Sequence, residues 1–153
     1  VILRPARSED LPALLEVFET SVRTLGPEHY SPTQVEAWAY FARETERFRE
    51  RTLGAWTVVA EERVRILGFA TLEPDGELGL LFVRPEAGRR GIGSALVAAV
   101  LQEARGRGMS RVHTVAGEFS QGLFRKHGFQ LVEQERVKRR GAKFTRYRMA
   151  VEL

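Results

Sequence analysis

Residues 80–105 read LLFVRPEAGRRGIGSALVAAVLQEAR. A short apolar run, Leu80 to Val83, is followed by Arg84-Pro85. Proline supplies no N–H to a ladder, so a strand is predicted to stop there. Next comes a doubly basic turn broken by glycines, Gly88-Arg89-Arg90-Gly91-Ile92-Gly93-Ser94. Beyond it Leu96, Val97, Val100, Leu101 and Ala104 recur at helical spacing. This order sets free backbone N–H groups at the positive end of a helix dipole, a seat for phosphate. Gly91 and Gly93 let the backbone approach an anion closely, and Arg89 and Arg90 add charge-assisted hydrogen bonds. Two stricter phosphate patterns fail: the third glycine of the dinucleotide fingerprint falls on Leu96, and no Gly-Lys-Ser/Thr occurs. A basic turn capping an ordinary strand–helix unit is the competing reading.

Length and composition set the surroundings. A chain of 153 residues is expected to be one domain, 1–153, burying roughly 70% of its unfolded surface. Its 43% hydrophobic and 29% charged residues are those of a globular protein. The apolar runs are too short for a bilayer, and no charged-then-apolar secretory start is read, so a cytoplasmic protein without membrane partners is expected. The absence of cysteine excludes disulfides, thiolate metal sites and a cysteine nucleophile, and no metal site is read. Net charge is +4, which suits an anionic cofactor and nucleic acid alike. The basic cluster Arg136, Lys138, Arg139, Arg140, Lys143, Arg146 and Arg148 has no nucleic-acid motif beside it, so a solvated hairpin is preferred.

In chain order, Val1 to Arg4 form a short strand ending at Pro5. Ser8 caps a helix whose apolar face is Leu11, Leu14, Leu15, Phe18 and Val22. Leu25-Gly26-Pro27 ends it, and Glu28-His29-Tyr30 is a loop. Ser31-Pro32-Thr33-Gln34 is a capping box opening a second helix through Val35, Trp38 and Phe41, with a charged helical piece from Glu44 to Leu53. Trp56–Ala60, Val64–Leu72 and Glu77–Val83 form an antiparallel meander. Its turns are Glu61-Glu62-Arg63 and Pro74-Asp75-Gly76. A helix from Gly93 to the Gly106–Gly108 stretch crosses over to a parallel strand, Arg111–Val115. A short helix from Ser120 to Lys126, a strand Phe129–Val137, a tip Lys138–Gly141 and a strand Phe144–Val151 complete the chain. The composite is α/β: a mixed, mostly antiparallel twisted sheet of about seven strands with helices on both faces.

VRPEAGRRGIGSAL resembles the cofactor-binding motif of the GNAT superfamily of N-acetyltransferases, Arg/Gln-x-x-Gly-x-Gly/Ala after a strand ending in a Pro-containing turn. The two downstream glycines are Gly91 and Gly93, whereas Gly88 stands at the leading Arg/Gln position and removes one side-chain contact. The likeness extends over about residues 56–151 and more loosely to the N-terminus. It implies a V-shaped cleft between residues 77–83 and 111–115, holding acetyl-CoA like an added strand. By the same resemblance the pantetheine lies on Leu81, Phe82 and Val83, and the pyrophosphate on Arg89, Arg90, Gly91, Ile92, Gly93 and Ser94. The N–H near Val83 is implied to polarise the thioester carbonyl.

The implied reaction is direct attack of a primary amine on the thioester in a ternary complex, needing a base to deprotonate the ammonium. Some family members carry a catalytic glutamate where Glu77 stands. Since 77, 79, 81 and 83 share one face of a regular strand, Glu77 is expected on the thioester side. Glu118 and His127 are alternatives, and an ordinary strand-end glutamate is the bland reading of Glu77. Many family members protonate the thiolate with a tyrosine in Phe-Tyr-x-x-x-Gly-Phe. Here the segment is Leu123-Phe124-Arg125-Lys126-His127-Gly128-Phe129, so Phe124 packs against cofactor but donates no proton. The family asparagine falls on Gly117. Tyr30, Tyr147, Ser120 or water then serves as donor, or the thiolate leaves unassisted. A non-catalytic acyl-CoA-binding module is the alternative these departures raise. The YSPTQVEAW segment resembles a GNAT branch whose first helices roof the acceptor pocket, which nominates His29, Tyr30 and Trp38. Trp38 also fits a core position and His29 a solvated loop. A homodimer is the default assembly.

Overall fold

The computed structural model describes residues 1–153. Its strands are β1 (Ile2–Pro5), β2 (Trp56–Glu62), β3 (Arg65–Leu72), β4 (Glu77–Val83), β5 (Arg111–Ala116), β6 (Gln130–Arg139) and β7 (Ala142–Glu152). Its helices are α1 (Leu11–Leu25), α2 (Pro32–Ala39), α3 (Thr45–Thr52), α4 (Ile92–Gly106) and α5 (Gln121–Lys126). The seven strands make one sheet in the order β1-β2-β3-β4-β5-β7-β6. Every neighbouring pair is antiparallel except β4 and β5, which α4 connects.

The sheet separates two apolar cores. On one side Leu96, Val97, Val100 and Leu101 of α4 pack against Leu72, Leu78, Val112 and Met149. On the other, Leu14, Val17 and Phe18 of α1 and Phe48 of α3 cover Val59 and Phe69. Each large side chain so buried contributes about 1.5–3 kcal/mol.

Several boundaries differ from expectation, each for a local reason. Ser8 caps nothing: residues Ser8–Asp10 form a 3₁₀ turn, and the Asp10 carboxylate accepts the Arg7 N–H at 2.7 Å. The second helix stops at Ala39, and Tyr40–Arg43 tighten into a 3₁₀ turn before α3. Both long hairpins close in two residues rather than three or four. Arg63 and Val64 (φ 53° and 65°) turn β2 into β3, and Arg140 and Gly141 (φ 48° and 79°) turn β6 into β7. Two-residue hairpin turns of this hand demand positive φ at both positions, which these side chains do not advertise. Arg139 therefore belongs to a strand.

β4 carries the irregularity that matters most. Leu81 pairs with Ala70 and Leu78 with Leu72, so Gly79 and Leu80 together oppose Thr71 in a β-bulge. The bulge leaves the Leu80 N–H without a ladder partner, and it donates instead to Thr71 Oγ1 at 2.9 Å. Gly79 suits the site because a Cβ there would lie 3.0 Å from the Arg51 guanidinium.

The bulge overturns the expected alternation. Leu78, Leu81 and Val83 pack toward α4, whereas Leu80 and Phe82 pack toward α1–α3. Glu77, next to Leu78, points to the α1–α3 side. It does not share a face with Leu81 and Val83.

Candidate active site

β4 and β5 pair only at Glu77–His113 and Leu78–Thr114, after which the strands part. Thr114 Oγ1 donates to the Leu78 carbonyl at 2.8 Å and pins the apex. Past it the register decides which backbone groups face the gap. The Arg84 N–H donates to the Leu67 carbonyl, making Val83–Gly68 and Ala70–Leu81 non-hydrogen-bonded pairs. The N–H and C=O of Leu81 and the N–H of Val83 therefore turn away from β3, toward the opening. The backbone groups of Phe82 turn the other way, to Phe69. Ser21 Oγ on α1 donates to the Val83 carbonyl at 2.7 Å, fixing the end of the strand.

A cavity of about 600 Å³ fills the opening. Its walls include Leu81, Val83, Gly93, Ala116, Gly117, Ser120 and Phe124 on the α4–α5 side. On the α1–α3 side it is lined by Glu77, Phe82, Tyr30 and Trp38. Phe124 is only 2% exposed and also packs on Phe129, so it is core as well as wall. At Gly117 a Cβ would lie 2.9 Å from the Tyr30 hydroxyl, so a side chain there and the tyrosine exclude each other.

The helix end lies at the mouth. Gly91, with φ 77°, precedes α4, and no side chain caps the helix. The first hydrogen bond of α4 there runs from Ala95 N–H to the Gly91 carbonyl. The amides of Ile92, Gly93 and Ser94 thus have no partner within the helix. The side chains of the turn are arranged less simply. Ile92 is buried and offers its backbone alone. Arg90 is paired with Glu62 at 2.6 Å, whereas Arg89 makes no ion pair. Ser94 Oγ lies 2.7 Å from His127 Nε2. Burial and neighbouring Lys126 hold that imidazole below its ordinary pKa, hence neutral.

Of the acceptor-side residues, Tyr30 and Trp38 meet at 5.6 Å between ring centroids. His29 is exposed and outside the cavity, its ring edge-on to Phe119. Phe119 and Phe144 complete an aromatic wall around Tyr30, at 5.8 and 5.7 Å. Those two phenylalanines stand alone in a loop and a strand and carry no periodic signal. Ser21 did carry one: it is a hydroxyl on the apolar face of α1, three residues after Phe18.

The ionisable groups fall into distinct places. Among the bases considered, only Glu77 lines the cavity, and its carboxylate makes no ion pair. Glu118 is exposed and accepts the Tyr147 hydroxyl at 3.0 Å. The Glu118 N–H donates to Tyr30 Oη at 3.2 Å, so the hydroxyl proton of Tyr30 is free for the cavity. Burial pushes the Tyr30 phenol above its usual pKa.

A parted parallel strand pair, open amides on one strand and an uncapped helix end at its mouth form one continuous cleft. The acetyltransferase (GNAT) domain family matches residues 27–151, and the chain belongs to that superfamily of acetyl-CoA-dependent N-acetyltransferases. It is 31% identical over 147 residues to YafP of Escherichia coli (strain K12), an uncharacterized N-acetyltransferase, covering 96% of this chain and 93% of the relative. The crystal structure of a GCN5-related N-acetyltransferase from Rhodopseudomonas palustris superposes with a TM-score of 0.95 at 28% identity, covering 99% and 95% of the chains. The PaiA N-acetyltransferase of Thermoplasma acidophilum, solved in complex with coenzyme A, gives 0.79 at 20% identity, covering 99% and 98%. No helix is long and apolar enough to cross a membrane.

Proposed function

We propose that the chain transfers the acetyl group of acetyl-CoA to a primary amine by direct attack within a ternary complex. The observation that carries this reading is the parting of β4 from β5. It leaves the Leu81 and Val83 amides open between an uncapped helix end and an aromatic cavity with one unpaired carboxylate.

Bound in that cleft, acetyl-CoA supplies the activated acetyl thioester. The Leu81 N–H and C=O pair with the pantetheine as a neighbouring strand would. The amides of Ile92, Gly93 and Ser94 hold the diphosphate, with Arg89 as the free guanidinium beside them. The Val83 N–H, fixed in direction by Ser21 and the β3 register, stabilises negative charge as it develops on the carbonyl oxygen. A dipole set in advance costs no reorganisation at that moment.

Glu77 accepts the proton of the incoming ammonium, directly or through one water, because only the free amine has a lone pair to attack with. Tyr30 gives its hydroxyl proton to the departing sulfur, the role left open by Phe124, and is reprotonated through water by the second proton that the acylated nitrogen sheds. Positioning supplies most of the acceleration, and no covalent bond to the protein is required.

Thiol release from acetyl-CoA across an amine panel tests the reading. Glu77→Gln is expected to lower kcat by about a hundredfold or more. Coenzyme A should still bind by calorimetry, and the acid limb of the kcat/KM profile should move up to the ionisation of the amine itself. An unchanged pH profile removes Glu77 from the base role. The absence of any heat with coenzyme A removes the cleft assignment.

A further inference from the structure

The acceptor half of the cavity carries hairpin arginines that the transfer reaction does not use. The hairpin alternation divides the basic cluster of β6 and β7 between two directions. Val137, Arg139 and Arg140 line the cavity, and Arg136 and Lys138 do not. Arg146 also faces in, but it shares the single carboxylate of Glu135 with Arg148. Arg139 and Arg140 have no carboxylate within 4.0 Å; Arg139 donates only to the Lys138 carbonyl.

These guanidiniums are held in place. The Arg140 guanidinium carbon sits 3.3 Å from the centroid of the Tyr40 ring, a cation–π contact that fixes its direction without neutralising it. Gln34 Nε2 donates to the Lys143 carbonyl at 2.6 Å, tying the hairpin to α2. Two carboxylates line the cavity: Glu44 is paired with Arg47, and Glu77 is unpaired. A cavity with a lone carboxylate on β4 and uncompensated arginines on the hairpin is complementary to a molecule charged positively at one end and negatively at the other.

We propose that the acceptor amine also carries an oxyanion, a carboxylate or a phosphonate-like group, which Arg139 and Arg140 bind while Glu77 receives the ammonium. This rests on the transferase reading and narrows its acceptor to zwitterionic amines.

The test compares matched pairs at equal free-amine concentration: β-alanine against β-alaninamide, glycine against glycinamide, and aminoethylphosphonate against propylamine. Thiol release is read in the native protein and in the Arg139→Gln/Arg140→Gln variant. The native protein is expected to prefer the acidic member of at least one pair, carboxylate or phosphonate, by tenfold or more in kcat/KM. The double variant is expected to lose at least about tenfold of that discrimination, the worth of one charge-assisted hydrogen bond. Both substitutions are exposed, and circular dichroism checks that the fold is retained. Equal use of both members, preference for the neutral one, or discrimination that survives the double substitution overturns the proposal.

Calorimetry of the same amines on the coenzyme A-loaded protein separates the two levels. Binding that depends on the arginines without thiol release sustains the anion site and sinks the transferase reading. No binding by any acidic amine, with neutral amines still acetylated, sinks the anion site alone.

Discussion

Replacing Tyr30 with phenylalanine removes one oxygen atom and tests the proton donor. The Glu118 N–H already occupies a lone pair of that oxygen, so the phenolic proton is the part directed to the cavity. Burial raises the phenol pKa, so the donor stays protonated through neutral pH and is lost only as pH rises past its ordinary value of about 10. Tyr30→Phe is therefore expected to lower kcat by about ten- to a hundredfold, at or below the usual span because a thiolate is already a fair leaving group. The alkaline decline of kcat should vanish, and coenzyme A affinity should be nearly unchanged. A variant whose alkaline limb persists returns the role to water. At this scale the sequence is uneven to read. Tyr30 and Trp38 follow from a segment with a recognisable capping box. Phe119 and Phe144 enter the cavity wall only through contacts across the chain that no local pattern announces. The same holds for Arg90, which reads as a phosphate ligand until its pairing with Glu62 on β2 is seen.

Among the elements, β4 shows where reading by periodicity stops. Its start and end were legible from Pro74-Asp75-Gly76 and Arg84-Pro85, and α4 from its apolar spacing. The bulge was not, because its determinants are a glycine with several possible meanings and a hydroxyl on the next strand. Thr71 is fully buried, and its Oγ1 supplies the acceptor that the bulged Leu80 N–H lacks. Thr71→Val keeps the shape and removes that acceptor. It is expected to cost about 1–2 kcal/mol, since a half-buried amide is left unpaired. Each kcal/mol lowers Tm by about 2–4 °C in a chain of this size. Urea denaturation should show the loss, hydrogen exchange should accelerate at the Leu80 amide, and Thr71→Ser should recover both. If the bulge relaxes into regular pairing, Glu77 turns to the α4 side and kcat falls beyond what stability explains. A Thr71→Val protein with native exchange at Leu80 refutes the assignment.

For the whole molecule, acid stability follows from an ion cluster at the sheet's outer edge. Arg4 on β1 grips both carboxylate oxygens of Asp10, at 2.9 and 3.0 Å, and Glu61 of β2 at 2.9 Å. Asp10 is 7% exposed, and the guanidinium holds its carboxyl below the usual range. A carboxyl with a depressed folded pKa binds its proton less readily than in the unfolded chain. Its contribution is complete above the unfolded value of about 4 and lost as pH falls through the folded one. The urea midpoint is expected to fall below about pH 4. Asp10→Asn should be less stable at pH 7 and lose part of that acid decline. An Asp10→Asn protein with the native acid profile assigns the decline to other carboxylates.

The parting of β4 from β5 has a mechanical meaning as well. Within the sheet, two residue pairs join a panel of four strands to a panel of three; the rest of the joint is α4, the shared core and the hydrogen bonds of Gln34 to Lys143 and Glu118 to Tyr30. A folded sheet is ordinarily firmest at its centre, and here the central strand pair has the shortest ladder. On the proposed reading, a long molecule laid along the tear would weld the panels from within, and the enzyme would gain rigidity from the very reagent it consumes.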